Sequence, residues 1–173
     1  MKNIYNFNNI IKLVSNKNNR ENLQSLCFSP DGFMTGTDNF SLVRIKAVDV
    51  NISVVFDENN KNNIIISSKY FKGKNIKEIS LKDDQTALLL LDDDTVLQVP
   101  ANAPDTFPST SGLFNPDPEV RQLEINFTVN PALITLLLNC YNAPVVIEPW
   151  CDMLAVYNEK NDDIIGLLMY IKR

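Results

Sequence analysis

The feature that most constrains this chain is the shortness of its apolar runs. Stretches of four to eight residues alternate apolar with polar side chains, and polar turns close them. Ser25–Phe28 and Phe33–Thr37 flank Ser29-Pro30-Asp31-Gly32. Glu78–Leu81 and Thr86–Leu91 flank Lys82-Asp83-Asp84-Gln85, and Thr95–Val99 follows Asp92-Asp93-Asp94. Runs this short, joined by turns this tight, pair with their sequence neighbours as antiparallel hairpins. Ser41–Val48, Asn51–Phe56, Ile64–Ile66, Leu123–Val129, Val145–Glu148, Met153–Asn158 and Ile164–Lys172 read as further strands.

Three short helical stretches interrupt the strands. After a cap at Asn8-Asn9, Ile10, Leu13 and Val14 share one helical face, with Lys12 and Asn16 opposite. Ser67 or Ser68 caps a second helix through Tyr70 and Phe71, which Gly73 ends. Asn130-Pro131 caps the third, Ala132–Cys140, with proline at its first position. That third helix is apolar nearly all round, so it is expected to be buried or packed against another subunit. One unit (a strand, a short helix, then strands) thus recurs about three times. Ala101–Pro118, rich in Pro, Ser, Asn and Asp, reads as a connector. The expectation is an α+β protein with sheets on one side and short helices on the other. Residues 1–100 would form a domain of two half-units (1–56 and 64–100), 101–118 the connector, and 119–173 a third half-unit.

Chemistry is sparse. Histidine is absent, which removes the commonest general base and most zinc sites, so the expectation is no enzyme, no metal and no cofactor. Cys27, Cys140 and Cys151 have no metal-like spacing and read as small buried hydrophobes. Asp92-Asp93-Asp94 lacks the spacing of a calcium loop and reads as a solvated hairpin turn. No apolar run reaches the roughly 18–20 residues that span a bilayer. The first residues lack the apolar core of a signal peptide, so a cytoplasmic protein without membrane contact is expected. Net charge is −5, but residues 1–77 hold eleven Lys/Arg against six Asp/Glu, and residues 78–173 hold five against fifteen. Such a field is directional and can steer a polyanion to one face.

Three stretches carry a family resemblance. Phe33-Met34-Thr35-Gly36-Thr37-Asp38-Asn39-Phe40-Ser41-Leu42 is similar to an Ala-Thr-Asp-Gly-His-Arg-Leu segment. Ile64–Phe71, the strands after it, and Pro100-Ala101 with Asp105-Thr106-Phe107-Pro108 are similar to the second half of the same domain. Phe127-Thr128-Val129-Asn130-Pro131-Ala132-Leu133 and the terminal Leu167-Leu168-Met169-Tyr170-Ile171-Lys172-Arg173 are similar to a last half-domain. Together they resemble the bacterial DNA polymerase III beta subunit family, the ring-shaped DNA sliding clamp. The chain has room for three half-units, fewer than one clamp subunit carries, so either a ring needs several copies or no ring forms.

The resemblance implies a processivity factor that holds duplex DNA without reading sequence and tethers a replication or repair protein. Lys12, Lys17, Arg20, Lys69, Lys72 and Lys74 would meet phosphates, with Lys77 just beyond. An apolar cleft for a partner's peptide motif would be formed by Thr37, Asn39, Phe40 and Leu42 with Leu167, Met169, Tyr170 and Ile171. The lysines equally fit a solvated surface, and the terminal apolar strand equally fits a core. A module of the same fold that binds a protein and no DNA, as a clamp mimic or partner-binding protein, is the alternative reading.

Overall fold

The computed structural model describes residues 5–15, 23–38, 40–56, 62–102, 107–108, 110, 113, 130–150, 153–158 and 164–169. Helix α1 (Phe7–Val14) buries Ile10, Ile11, Leu13 and Val14 and exposes Lys12, as its periodicity predicts. Its cap is Asn6, ahead of the expected Asn8-Asn9. The Asn6 side chain accepts from Asn9 N–H at 3.2 Å, while its carbonyl already accepts from Ile10 N–H.

Strands β1 (Ser25–Phe28), β2 (Phe33–Thr37) and β3 (Ser41–Lys46) form the predicted antiparallel meander. The predicted run to Val48 stops at Lys46. There a 3₁₀ turn, Ala47–Val50, buries Ala47 and Val50, and Asn51 closes it in the left-handed conformation at φ 61°. Strand β4 (Ser53–Val55) is correspondingly short. Strand β5 (Ile64–Ser67) follows, and then the predicted second helix proves to be a single 3₁₀ turn, Ser68–Tyr70. Gly73, at φ +66°, turns the chain away before a second turn can form. Strands β6 (Ile76–Asp83), β7 (Thr86–Leu91) and β8 (Val96–Pro100) complete the second hairpin series.

Helix α2 (Pro131–Leu138) has the predicted cap, with the Asn130 side chain accepting from Ala132 N–H at 3.0 Å. Burial all round does not hold. Only Leu137 is fully buried within it, Leu133, Ile134 and Leu136 are half-buried against the core, and Pro131, Ala132 and Thr135 are exposed. The helix meets α1, β3 and β11. Strands β9 (Val145–Trp150), β10 (Met153–Asn158) and β11 (Ile164–Met169) close the described chain. The predicted strand Leu123–Val129 lies outside the described residues.

The strands form a seven-stranded sheet, β5-β1-β2-β3-β11-β10-β9, and a four-stranded sheet, β4-β6-β7-β8. One continuous core joins α1, α2 and a face of each sheet, through Ile10, Phe28, Val43, Ile79, Leu89 and Leu168 among others. A small second cluster, Leu42, Ala155 and Leu167, lies on the opposite face of the larger sheet. The larger sheet protects its edges. Asn102 gives its N–H to Ile65 O at 2.9 Å and accepts from Ile65 N–H at 2.8 Å, which seals β5. At the other edge β9 carries Pro149, a residue that strands accept at an edge. The mixed α+β class is as expected. No described helix is long and apolar enough to cross a membrane.

Gly36 sets how closely α1 lies on the sheet. A Cβ there would stand 2.6 Å from Val14 Cγ2 and 3.0 Å from Leu26 Cδ2. Gly36→Ala is therefore expected to lift the helix and destabilise the protein by about 1–3 kcal/mol, read as a lower urea midpoint at unchanged slope.

Candidate functional site

Period-two geometry puts the side chains of alternate strand residues on one face, and the register decides which of them meet. Thr37 stands opposite Leu42, Leu42 opposite Leu167, Leu167 opposite Ala155, and Met169 opposite Met153. These residues look away from the helices. Thr37, Leu42, Met153, Leu167 and Met169, with Phe40 and Ser41, line a cavity of about 120 Å³, and Pro108, Thr110 and Leu113 of the connector stand over it. Met169 N–H donates to Phe40 O at 2.7 Å and ties the end of β11 to the β2–β3 turn. Phe40 is 53% exposed and Met169 52%, although both are large and apolar.

Five residues of the predicted cleft (Thr37, Phe40, Leu42, Leu167 and Met169) thus come together in one place. Asn39, Tyr170 and Ile171 lie outside the described residues. Sequence reasoning missed Met153 and the roof. Met153 could have been found only from the β10–β11 pairing, whereas Pro108 sat in a connector that its composition alone marked as a spacer.

Asp38 shapes the rim of this cleft. Its Oδ1 accepts from Ser41 N–H at 2.6 Å and from Phe40 N–H at 3.1 Å, and Thr37 Oγ1 donates to Ser41 O at 2.8 Å. The carboxyl is 1% exposed, and its Oδ2 has no hydrogen-bond partner among the described residues. Burial pushes the Asp38 pKa above its ordinary 3.8, against the pull of the two N–H bonds.

A second cavity, of about 300 Å³, adjoins the first and shares Pro108 and Thr110 with it. Cys27, Thr35 and Arg44 line its floor, and Ser29, Asp31 and Phe107 its rim. Arg44 Nη2 contacts Asp31 Oδ2 at 3.0 Å, and its guanidinium lies 4.0 Å over the Phe33 ring. Burial, with the Asp31 charge a smaller cause, pushes the Cys27 thiol up to about 11, and burial carries Cys140 to about 12. Neither is a thiolate near neutrality, so neither offers a nucleophile.

The predicted DNA-contacting residues are less concentrated. Lys12 is exposed on α1, and its Nζ donates to Asn9 Oδ1 at 3.3 Å. Lys69 and Lys72 are exposed on and after the 3₁₀ turn, with Lys69 Nζ 4.9 Å over the Tyr70 ring. Phe71 meets Phe7 with ring centroids 5.9 Å apart, which sets this turn beside the start of α1. Lys74 is half-buried in a polar cavity of about 370 Å³ together with Asn75 and Asp92. Lys77 is paired with Asp94 at 2.8 Å. Lys17 and Arg20 lie outside the described residues. No group of three potential metal ligands occurs among the described residues.

Neither a protein-family model nor a curated protein matches this sequence. What the site does chemically therefore follows from its own geometry. Cavities that hold small molecules measure roughly 300–1,000 Å³, so the apolar one suits a single side chain. Because folding raises the Asp38 pKa, its contribution to stability is full below about 3.8 and is lost as pH rises through the raised value. Asp38→Asn keeps the acceptor and cannot ionise. Urea titrations from about pH 3 to 7 should show the variant gaining on the wild type as pH rises; a constant difference would contradict this.

Proposed function

We propose that this protein is a non-catalytic, clamp-like tethering factor that docks a short apolar peptide segment of a partner in the cleft of β2, β3 and β11. The carrying observation is the meeting of Thr37, Phe40, Leu42, Leu167 and Met169 around one cavity beneath the connector. Phe40 and Met169 stay exposed at its mouth, where an aromatic ring and an adaptable thioether suit the capture of an apolar anchor. Two short helices in contact with each other, each followed by a run of strands, and strands in two sheets support the clamp-like element of the reading.

In this reading duplex DNA is held through phosphates by Lys12, Lys69 and Lys72, without sequence preference, and several copies assemble around or along it. The protein works in the cytoplasm beside a replication or repair enzyme, performs no reaction and needs no cofactor. The positive charge of residues 1–77 supports DNA contact. Two observations favour the second reading, a partner-binding module without DNA. Lys77 is paired with Asp94, and Lys74 shares its cavity with Asp92.

Binding to duplex DNA of mixed sequence, followed against salt, separates the two readings. A tether on DNA is expected to show log affinity falling linearly with log salt, with a slope of about −0.9 per phosphate contacted. Reversal of Lys12, Lys69 and Lys72 to Glu should flatten that slope by about one for each lost contact. No affinity even at low salt would leave only the partner-binding module. Light scattering supplies the assembly state: an assembly of several copies is expected, and a pure monomer would remove the ring.

A further inference from the structure

The polar cavity beside the apolar one gives the cleft a second contact. Thr35 stands opposite Arg44 in the same ladder that sets Thr37 opposite Leu42, and both pairs face away from the helices. Arg44 therefore lies two residues from Leu42 on one strand face, about 7 Å along β3. The two cavities share Pro108 and Thr110, so one extended segment crossing this face would meet both.

Arg44 is held before any partner arrives. Its guanidinium is 4.0 Å over the Phe33 ring and bonded to Asp31. Asp31 is itself anchored, accepting from Phe33 N–H and from the Ser29 hydroxyl. A guanidinium carries five donors in a planar fork and can serve carboxylates on different edges. One that is already oriented loses little rotamer freedom when a second carboxylate binds. Among the described residues, Arg44 is the only cation lining either cavity.

We infer that the cleft takes an extended partner segment with an acidic residue close to its apolar anchor, and that Arg44 is the specificity-determining group. This rests on the cleft reading above and adds a charge requirement to it. The anchor fills the space between Leu42, Leu167 and Met153, and the carboxylate meets Arg44 under Pro108. At a strand rise of about 3.3 Å the two lie about two to four residues apart.

Short random peptides displayed on phage, selected against the full chain, test this without assuming a partner. The expected winners carry Leu, Met or Phe with Asp or Glu at that spacing. Synthesised and titrated by fluorescence anisotropy, they should weaken about tenfold or more when the acid is replaced by its amide. Arg44→Gln should lose the same factor with the acidic peptide and none with the amide peptide, the coupling expected of a direct contact. Phe40→Asp and Met169→Asp should abolish binding of both.

Winners that share an apolar anchor but have no acidic preference, or that bind Arg44→Gln equally well, overturn this inference and leave the cleft reading standing. A library without binders, or binders indifferent to Phe40→Asp and Met169→Asp, overturns the cleft reading and this inference with it. If Arg44→Gln fails to fold, the acid-to-amide change in the peptide decides alone, and unchanged affinity overturns the inference.

Discussion

The pairing of β3 with β11 is the contact on which the rest of the structure depends. It sets Ser41, Leu42 and Val43 against Leu168, Leu167 and Gly166, and joins strands from opposite ends of the chain in one sheet. Gly166 has no side chain, and it must have none. A Cβ there would run into the Tyr141 hydroxyl, which donates to Ile165 O at 3.0 Å. Tyr141 in turn pairs with Tyr5, and Asn6 N–H donates to Cys140 O at 2.7 Å, so the start of the described chain is pinned to the end of α2. The join buries Val43 and Leu168 in the main core on one face and brings Leu42 to Leu167 on the other.

The two faces of the large sheet consequently have different work. The inner face is covered by α1 and α2 and carries the bulk of the burial that stabilises the fold. Among the described residues, the outer face carries the small cluster Leu42, Ala155 and Leu167 with Met153, Tyr157 and Ile164 packed against it, and residues 107, 108 and 110 of the connector line its cavities. The Asp38 turn ties the faces together. Its carboxyl is buried, yet the N–H groups it holds belong to Phe40 and Ser41 at the cleft.

How much could be read from the chain depended on the range of the forces involved. The hairpins β1–β2, β6–β7 and β7–β8 were legible because their turns and alternation are local. The helix α1 was legible for the same reason: Ile10, Leu13 and Val14 repeat at its period. The stretch Ser68–Phe71 misled, since two serines before aromatic residues resemble a helix start. Gly73 and the demand to bury Phe71 against Phe28 and Phe7 allow one 3₁₀ turn only. For α2, apolar nearly all round, the sequence states what the helix could bury and not how many neighbours within the chain reach it. Of the lysines around Tyr70, Lys69 lies on the 3₁₀ turn and Lys72 just after it.

By itself, then, the sequence determined the hairpin units, the amphipathic first helix, the polar turns and the uneven charge, all of them matters of neighbours along the chain. Only the tertiary structure decided that β11 lies beside β3, that Met153 and the connector join the cleft, and that Leu42 and Arg44 stand on the face that looks away from the helices. The reason is register. A slip of one residue in a strand pair would carry each of these side chains to the opposite face, and the core on the helix side alone fixes which register wins.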